Sequence, residues 1–266
     1  MAHSLLVHTG NLKLSMWREA NWKPNQSTEE EFKNSITKTV SSVSSDSLPN
    51  EGLACVRHSS AIQTITEAER PNLSITVKVF LNSMQPQLLR DAVTRVLSEL
   101  ELGKIDTLLL SLPLDDSETF PEEIVCPVWK VAEELLDAGQ VGQLGIADLD
   151  VKSLELLCSW AKVQPSINQV NLASCCVIPQ DLVEFAQSKG IQLQTHPDPR
   201  TLLAPGAVQT CVRNPAAGGR CLQPSWVARY SSVITCRGVV QHKGYVALFS
   251  EPCSPSAVNG GNRCAE

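Results

Sequence analysis

The chain has 266 residues, of which 42% are hydrophobic and 19% charged, as in an ordinary globular protein that can form one large domain. Its net charge of −6 argues against nucleic-acid binding, which requires a basic face. No apolar run approaches the ~18 residues of a membrane span, and residues 1–15 lack the basic and apolar regions of a signal peptide. We therefore expect a cytoplasmic protein.

The first part of the chain predicts a strand and a helix with a polar stretch between them. Residues 5–14 can form a strand and a turn. A helix is predicted within residues 27–48, because Ser27 or Thr28 can cap it and three glutamates suit its positive end. Its apolar stripe consists of Phe32, Ile36 and Val40. Residues 53–65 are consistent with a strand and part of a helix.

Strands and helices alternate regularly through the middle of the chain. The predicted strands are 73–81, 105–112, 141–147, 167–172 and 191–195. The helices between them begin near Pro86, Pro121, Asp150 and Pro179, and Gly190 closes the last of them. This order indicates a parallel α/β sheet, either a barrel or an open doubly wound sheet. The earlier strand at 5–14 and a later one at 231–240 favour the barrel.

The pattern breaks towards the C-terminus. Residues 203–228 are rich in Gly, Pro and Ala and have no hydrophobic period, which is typical of a loop. We expect a single domain over residues 1–249, with an irregular loop at 204–224. Residues 250–266 have the composition of a disordered tail.

Ten cysteines are present, but none forms a CxxC pair, so no metal site is expected. Free thiols in a reducing compartment are the simplest interpretation. Cys175 and Cys176 follow a predicted strand, at the edge where an α/β sheet binds ligands. They are interpreted as two small half-buried side chains, with a redox-responsive or inter-subunit thiol as the alternative.

Several segments resemble the aldo-keto reductases. These are ITVKVF, IDTLLLSLP, LGIADLD, and NQVNLASCC followed by a helix ending in FAQSKGIQL, in the family's order over about residues 70–200. The resemblance implies a (β/α)8 barrel of the TIM type, and the departures at 204–224 and after Phe249 imply an irregular or incomplete C-terminal part.

Longer matches resemble one branch of that family, the regulatory (modifier) subunits of glutamate–cysteine ligase. They comprise residues 166–199, the run VARYSSVITCRGVVQHKGYV and the TGNL motif near the start. This resemblance implies a non-catalytic activator that binds the catalytic heavy subunit as a heterodimer in glutathione synthesis. It would improve the use of glutamate and relieve feedback inhibition by glutathione. Candidate partner-binding residues are Cys175, Cys176, Trp226 and Arg229, with Trp160 and Cys211 as further possibilities.

The residues that match the family's catalytic positions are incomplete. An aldo-keto reductase transfers a hydride from NADPH, with a tyrosine as proton donor supported by a lysine, an aspartate and a histidine. Lys78 matches the lysine, but no tyrosine precedes it, and the only tyrosines are Tyr230 and Tyr245. Ser111 stands where the family has the histidine. Because the proton donor must reach the substrate oxygen, no reductase activity is expected.

A remnant of the cofactor pocket is nevertheless predicted. Asn168 and Gln169 match amides that the family places near the cofactor, and with Lys78 they are candidates for a vestigial pocket that holds no cofactor. Lys78 is expected to be a buried, paired side chain, and His196 a hydrogen-bonded loop residue. The alternatives are an NADPH-dependent reductase with a displaced acid, or a pseudoenzyme that still binds the cofactor. Asp115, Asp116 and Glu118 are interpreted as a solvated loop.

Overall fold

The structure is a computed structural model, and it describes residues 4–16, 26–43, 52–58, 63–114, 120–171, 177–199 and 222–251. The strands are β1 (Ser4–His8), β2 (Leu53–Arg57), β3 (Leu73–Leu81), β4 (Ile105–Ser111), β5 (Val141–Ala147), β6 (Ile167–Asn171), β7 (Gln192–His196), β8 (Gln223–Ile234) and β9 (Val239–Ser250). The helices are α1 (Leu12–Met16), α2 (Thr28–Ser41), α3 (Pro86–Glu99), α4 (Glu122–Asp137), α5 (Val151–Trp160) and α6 (Gln180–Lys189).

The strands form one nine-stranded sheet in the order β2-β1-β9-β8-β3-β4-β5-β6-β7. Strands β3 to β7 are parallel and alternate with α3 to α6, which confirms the α/β class predicted from the sequence. An antiparallel hairpin, β8–β9, lies between β3 and β1. The pairs β3–β8, β8–β9 and β9–β1 are all antiparallel. Strands β1 and β2 therefore run parallel to each other but opposite to β3–β7.

The sheet differs from the closed barrel of eight parallel strands that the family resemblance implied. In the described part of the chain, β2 and β7 stand at its two edges and do not pair. The departure is at the C-terminus, as expected, but it takes the form of a long hairpin. The single strand predicted at 231–240 is wrong, because the chain turns at 235–238, where Gly238 has φ +63°. The loop predicted at 203–228 ends earlier, since β8 begins at Gln223.

Helices cover both faces of the sheet. Helices α3 to α6 pack on one face, where Val77, Leu108 and Ile146 are fully buried. Helix α2 lies on the opposite face, against β1, β2, β8 and β9, and inserts Phe32 and Ile36. The side chains of β3 alternate between these layers, so Lys78 and Phe80 belong to the face that carries α2.

Three of the predicted helix-end signals are confirmed. Ser27 caps α2 through a capping box in which its side chain accepts from the Glu30 amide and the Glu30 carboxylate accepts from the Ser27 amide. Asp150 caps α5, and Gly190 ends α6 in the left-handed conformation, with φ +68°. None of the described helices combines the length and apolarity needed to cross a membrane.

Candidate functional site

Lys78 lies at the centre of a buried polar cluster. Its side chain is 2% exposed, and its Nζ donates to Asp198 Oδ2 at 2.8 Å and to Gln169 Oε1 at 3.0 Å. Asp198 follows β7, and Gln169 lies on β6, so the cluster forms where the parallel strands end. This is the edge at which α/β sheets bind their ligands.

Asp198 joins three separate parts of the fold. Both terminal nitrogens of Arg229 contact its two carboxylate oxygens, and the Nη2–Oδ2 distance is 2.8 Å. The Oγ1 hydroxyl of Thr28, at the start of α2, donates to Asp198 Oδ1 at 2.9 Å. Arg229 is the register partner of Lys78 on the neighbouring strand, which places both cations beside one carboxylate. Asp198 therefore connects α2 and the segment after β7 to the sheet.

His196 extends the cluster towards β5. Its Nε2 lies 3.1 Å from Asp148 Oδ1, and its Nδ1 accepts the backbone N–H of Asp198 at 3.1 Å. Asp148 has φ +63°, a left-handed conformation that is uncommon outside glycine. The Asp148 carboxylate also accepts a hydrogen bond from the backbone N–H of Asn171 at 3.1 Å. This bond helps to hold Asp148 in its left-handed conformation.

Burial and ion pairing shift the ionisation of these groups. Burial lowers the pKa of Lys78, although Asp198 opposes that shift. Burial would raise the pKa of Asp198, but the close contacts of its carboxylate with His196 and Arg229 outweigh it and hold the pKa far below the usual range. Burial would also lower the pKa of His196, but the neighbouring carboxylates of Asp148 and Asp198 raise it. The cluster is thus a set of paired charges with an ionised Asp198.

The first turn of α2 adds a second polar contact beside this cluster. Glu31 accepts hydrogen bonds from Tyr245 Oη and from Lys243 Nζ, both at 2.7 Å. The rings of Phe32 and Tyr245 pack edge to face, with centroids 5.1 Å apart. Burial and the nearby Glu31 raise the pKa of Tyr245 well above its ordinary value. The positive end of α2 also faces the Asp198 carboxylate, an arrangement that favours both.

The candidate pocket residues divide between the two faces of the sheet. Gln169 does contact Lys78, but Asn168 lies on the opposite face, where its Nδ2 donates to the Leu149 carbonyl at 2.9 Å. Neighbouring residues of a strand point to opposite faces, so the two amides cannot both face one pocket. Ser111 ends β4 and pairs in register with Phe80.

The candidate partner-binding residues are not free surface anchors where the structure describes them. Trp226 is fully buried, and its Nε1 donates to Asp91 Oδ2 on α3 at 2.9 Å. Arg229 forms an ion pair with Asp198. The remaining predictions at Cys175, Cys176 and Cys211, and the acidic run at 115–118, lie outside the described residues.

Asp198, Thr28 and Asp148 were not predicted as site residues. Asp198 belongs to the HPDP run that carried part of the resemblance, and it directly follows a strand end. An acidic residue at that position was the available signal. Its partners could not be read from spacing, because Lys78 lies 120 positions away along the chain.

Comparisons with known proteins identify the family of this chain. The model of the aldo/keto reductase family matches residues 58–224, and the chain belongs to that family. An aldose reductase structure from Schistosoma japonicum has a TM-score of 0.36 and 22% identity over 45% of this chain and 44% of that one.

Within the family, the chain is similar to a particular group of proteins over nearly its whole length. It is 34% identical to the glutamate–cysteine ligase regulatory subunits of Mus musculus and Homo sapiens, and each match covers 92% of both chains. A putative regulatory subunit from Schizosaccharomyces pombe is 32% identical over 47% of this chain and 45% of its own length.

Proposed function

We propose that this protein is a regulatory subunit of glutamate–cysteine ligase, which binds the catalytic subunit as a heterodimer in the cytosol and activates it. The observation that carries this proposal is the similarity to the mouse and human regulatory subunits along almost the entire chain. Activation requires that the chain bind more tightly to the active state of the catalytic subunit than to the inactive one.

The polar cluster supports a role without reductase chemistry. A carbonyl reductase needs a proton donor within hydrogen-bond reach of the substrate oxygen. Tyr245 instead donates to Glu31, and its raised pKa makes it a poorer acid. Tyr230 points to the other face, where its hydroxyl lies 3.3 Å from His8 Nε2. Lys78 itself is held by Asp198 and Gln169.

The test is reconstitution with the catalytic subunit. The two full-length chains would be co-expressed and purified, and ligase kinetics would be measured with and without this chain. We expect a stable complex with a lower KM for glutamate and weaker inhibition by glutathione. The Lys78→Met variant is the matched control, since it removes the reductase-like lysine and should retain the activation if folded.

A reductase assay tests the competing function directly. The purified chain would be incubated with NADPH and a panel of aldehydes while the absorbance of NADPH is followed. We expect no turnover. Turnover that the Lys78→Met variant abolishes, together with no effect of the chain on the ligase, would overturn the proposed function.

A further inference from the structure

Three side chains surround the carboxylate of Asp198 with hydrogen-bond donors. Arg229 contacts both of its oxygens, Lys78 contacts one, and the Thr28 hydroxyl contacts the other. A forked guanidinium, an ammonium and a hydroxyl around two oxygens are also what a protein uses to bind a free carboxylate. We propose that Lys78, Arg229 and Thr28 form a binding site for a small monocarboxylate, which the chain occupies with its own Asp198 side chain.

The donors are positioned by parts of the fold that do not depend on Asp198. Lys78 and Arg229 are register partners on β3 and β8. Both cations also lie near the ring of Phe80, with Lys78 Nζ at 5.3 Å and Arg229 Cζ at 5.8 Å from its centroid. Thr28 is placed by the capped first turn of α2. The site is therefore preorganised by the sheet and the helix.

Lys78 and the largely buried Arg229 place two positive charges side by side, an arrangement that favours an anion between them. Lys78 is 2% exposed and the Arg229 side chain 20% exposed, so water screens their repulsion poorly. Removing one partner from a buried ionic group leaves an uncompensated charge, which is strongly destabilising. If the Asp198 carboxylate were absent, an external carboxylate would be the group that restores the charge balance.

The backbone at Asp198 is held separately from its side chain. Its N–H donates to His196 Nδ1 at 3.1 Å, and its carbonyl accepts from Asn171 Nδ2 at 2.6 Å. Truncating the side chain should therefore leave the segment in place and open a space of the size of the lost atoms. Formate and acetate match that space, whereas a bulky carboxylate such as pivalate does not.

The test is chemical rescue of the Asp198→Gly variant in the full-length chain. Thermal unfolding would be followed in sodium formate, acetate or pivalate and in sodium chloride of equal ionic strength. At carboxylate concentrations well above the dissociation constant, the variant's midpoint should rise by roughly 3–6 °C over that in chloride. The wild type should show no difference between formate and chloride, because its site is already filled.

Two further variants identify the site. Asp198→Gly combined with Arg229→Met should lose the response, because the forked donor is gone. Asp198→Asn should not respond, because the amide fills the space.

If Asp198→Gly is unfolded in chloride, its refolding from urea is compared between chloride and formate or acetate. Recovery that requires formate or acetate supports the site, and equal recovery, or none in either salt, overturns it. Because the assay omits the ligase, it is independent of the proposed function.

Discussion

The guanidinium of Arg57, on β2, binds both carboxylate oxygens of Glu99 at the end of α3, with two N–O distances of 2.7 Å. Nδ1 of His8, on β1, lies 3.3 Å from Glu99 Oε2. The Glu99 side chain is only 7% exposed, so this carboxylate joins the first two strands to a helix of the parallel unit from a largely buried position. Burial alone would raise the pKa of Glu99, but its contacts with His8 and Arg57 lower it to about 2.

The first prediction follows from that pKa. Glu99→Gln should destabilise the fold by about 1–2 kcal/mol near pH 7, after allowance for the solvent exposure of Arg57. Because the folded pKa lies below the unfolded value of about 4.3, the stabilisation is complete above that pH and is lost as the pH falls towards 2. Urea unfolding of both proteins between pH 3 and 7 measures the difference, which should shrink on acidification. Glu134→Gln, at an exposed ion pair with Arg90, is the control and should show little change. A difference independent of pH would contradict this assignment.

The second prediction concerns His196, whose pKa is raised by the carboxylates of Asp148 and Asp198. A raised pKa stabilises the fold fully below the unfolded value of about 6.5, and that contribution is lost as the pH rises through the folded pKa. The stability advantage of the wild type over His196→Gln should therefore decrease between pH 6 and 9. Denaturant unfolding across this range is the measurement.

His242 provides a control of opposite sign for that experiment. Burial lowers its pKa, and its Nδ1 lies 2.7 Å from Ser232 Oγ. A lowered pKa stabilises the fold above about pH 6.5, and the contribution is lost as the pH falls through the folded pKa. His242→Gln should therefore lose more stability at high pH than at low pH. The same pH trend in both variants would refute one of the two assignments, and the direction of the trend would show which.

The third prediction separates core packing from partner binding at Trp226. Trp226→Phe should lower the free energy of unfolding by about 2–3 kcal/mol, because it removes buried ring atoms and leaves Asp91 without the indole donor. Trp160→Phe is the matched control, since no hydrogen-bond partner of its buried Nε1 lies in the described part of the chain. It should cost less. With folded protein in excess, Trp226→Phe should still bind the catalytic subunit; lost binding with unchanged stability would place Trp226 at the interface.

The fourth prediction concerns the start of α2. Ser27→Ala removes the capping box and should cost about 1 kcal/mol of unfolding free energy. The control is Ser188→Ala, at an exposed serine whose hydroxyl donates to the Phe185 carbonyl within its own helix. It should change stability by less than about 0.5 kcal/mol. Equal costs in urea unfolding would show that the cap does not hold α2.

Local chemistry made much of the fold predictable. The strand at 141–147 was predicted with the observed ends, and Ser27, Asp150 and Gly190 act as the predicted caps. Such signals depend on neighbouring residues alone. The hairpin was missed because the β-branched pairs at 233–234 and 239–240 favour a strand on both sides of the turn, and Gly238 between them was the available turn signal.

The candidate site was predictable only in part, because its residues lie far apart along the chain. Lys78 was correctly expected to be a buried, paired side chain. Its partner could not be predicted, because contacts between β3, α2 and the segment after β7 depend on how the sheet is assembled. Asn168 was assigned to the pocket from a family match, although its strand position places it on the opposite face.

The reversed direction of β1 and β2 has a consequence for where loops can meet. The residues that follow β1 and β2 continue in the direction opposite to those that follow β3 to β7, and His8 and Arg57 at the ends of these two strands reach Glu99. A barrel enzyme gathers the segments after all eight strands around one entrance. In this chain the first two strands run opposite to the next five, so the segments after them leave the sheet in opposite directions.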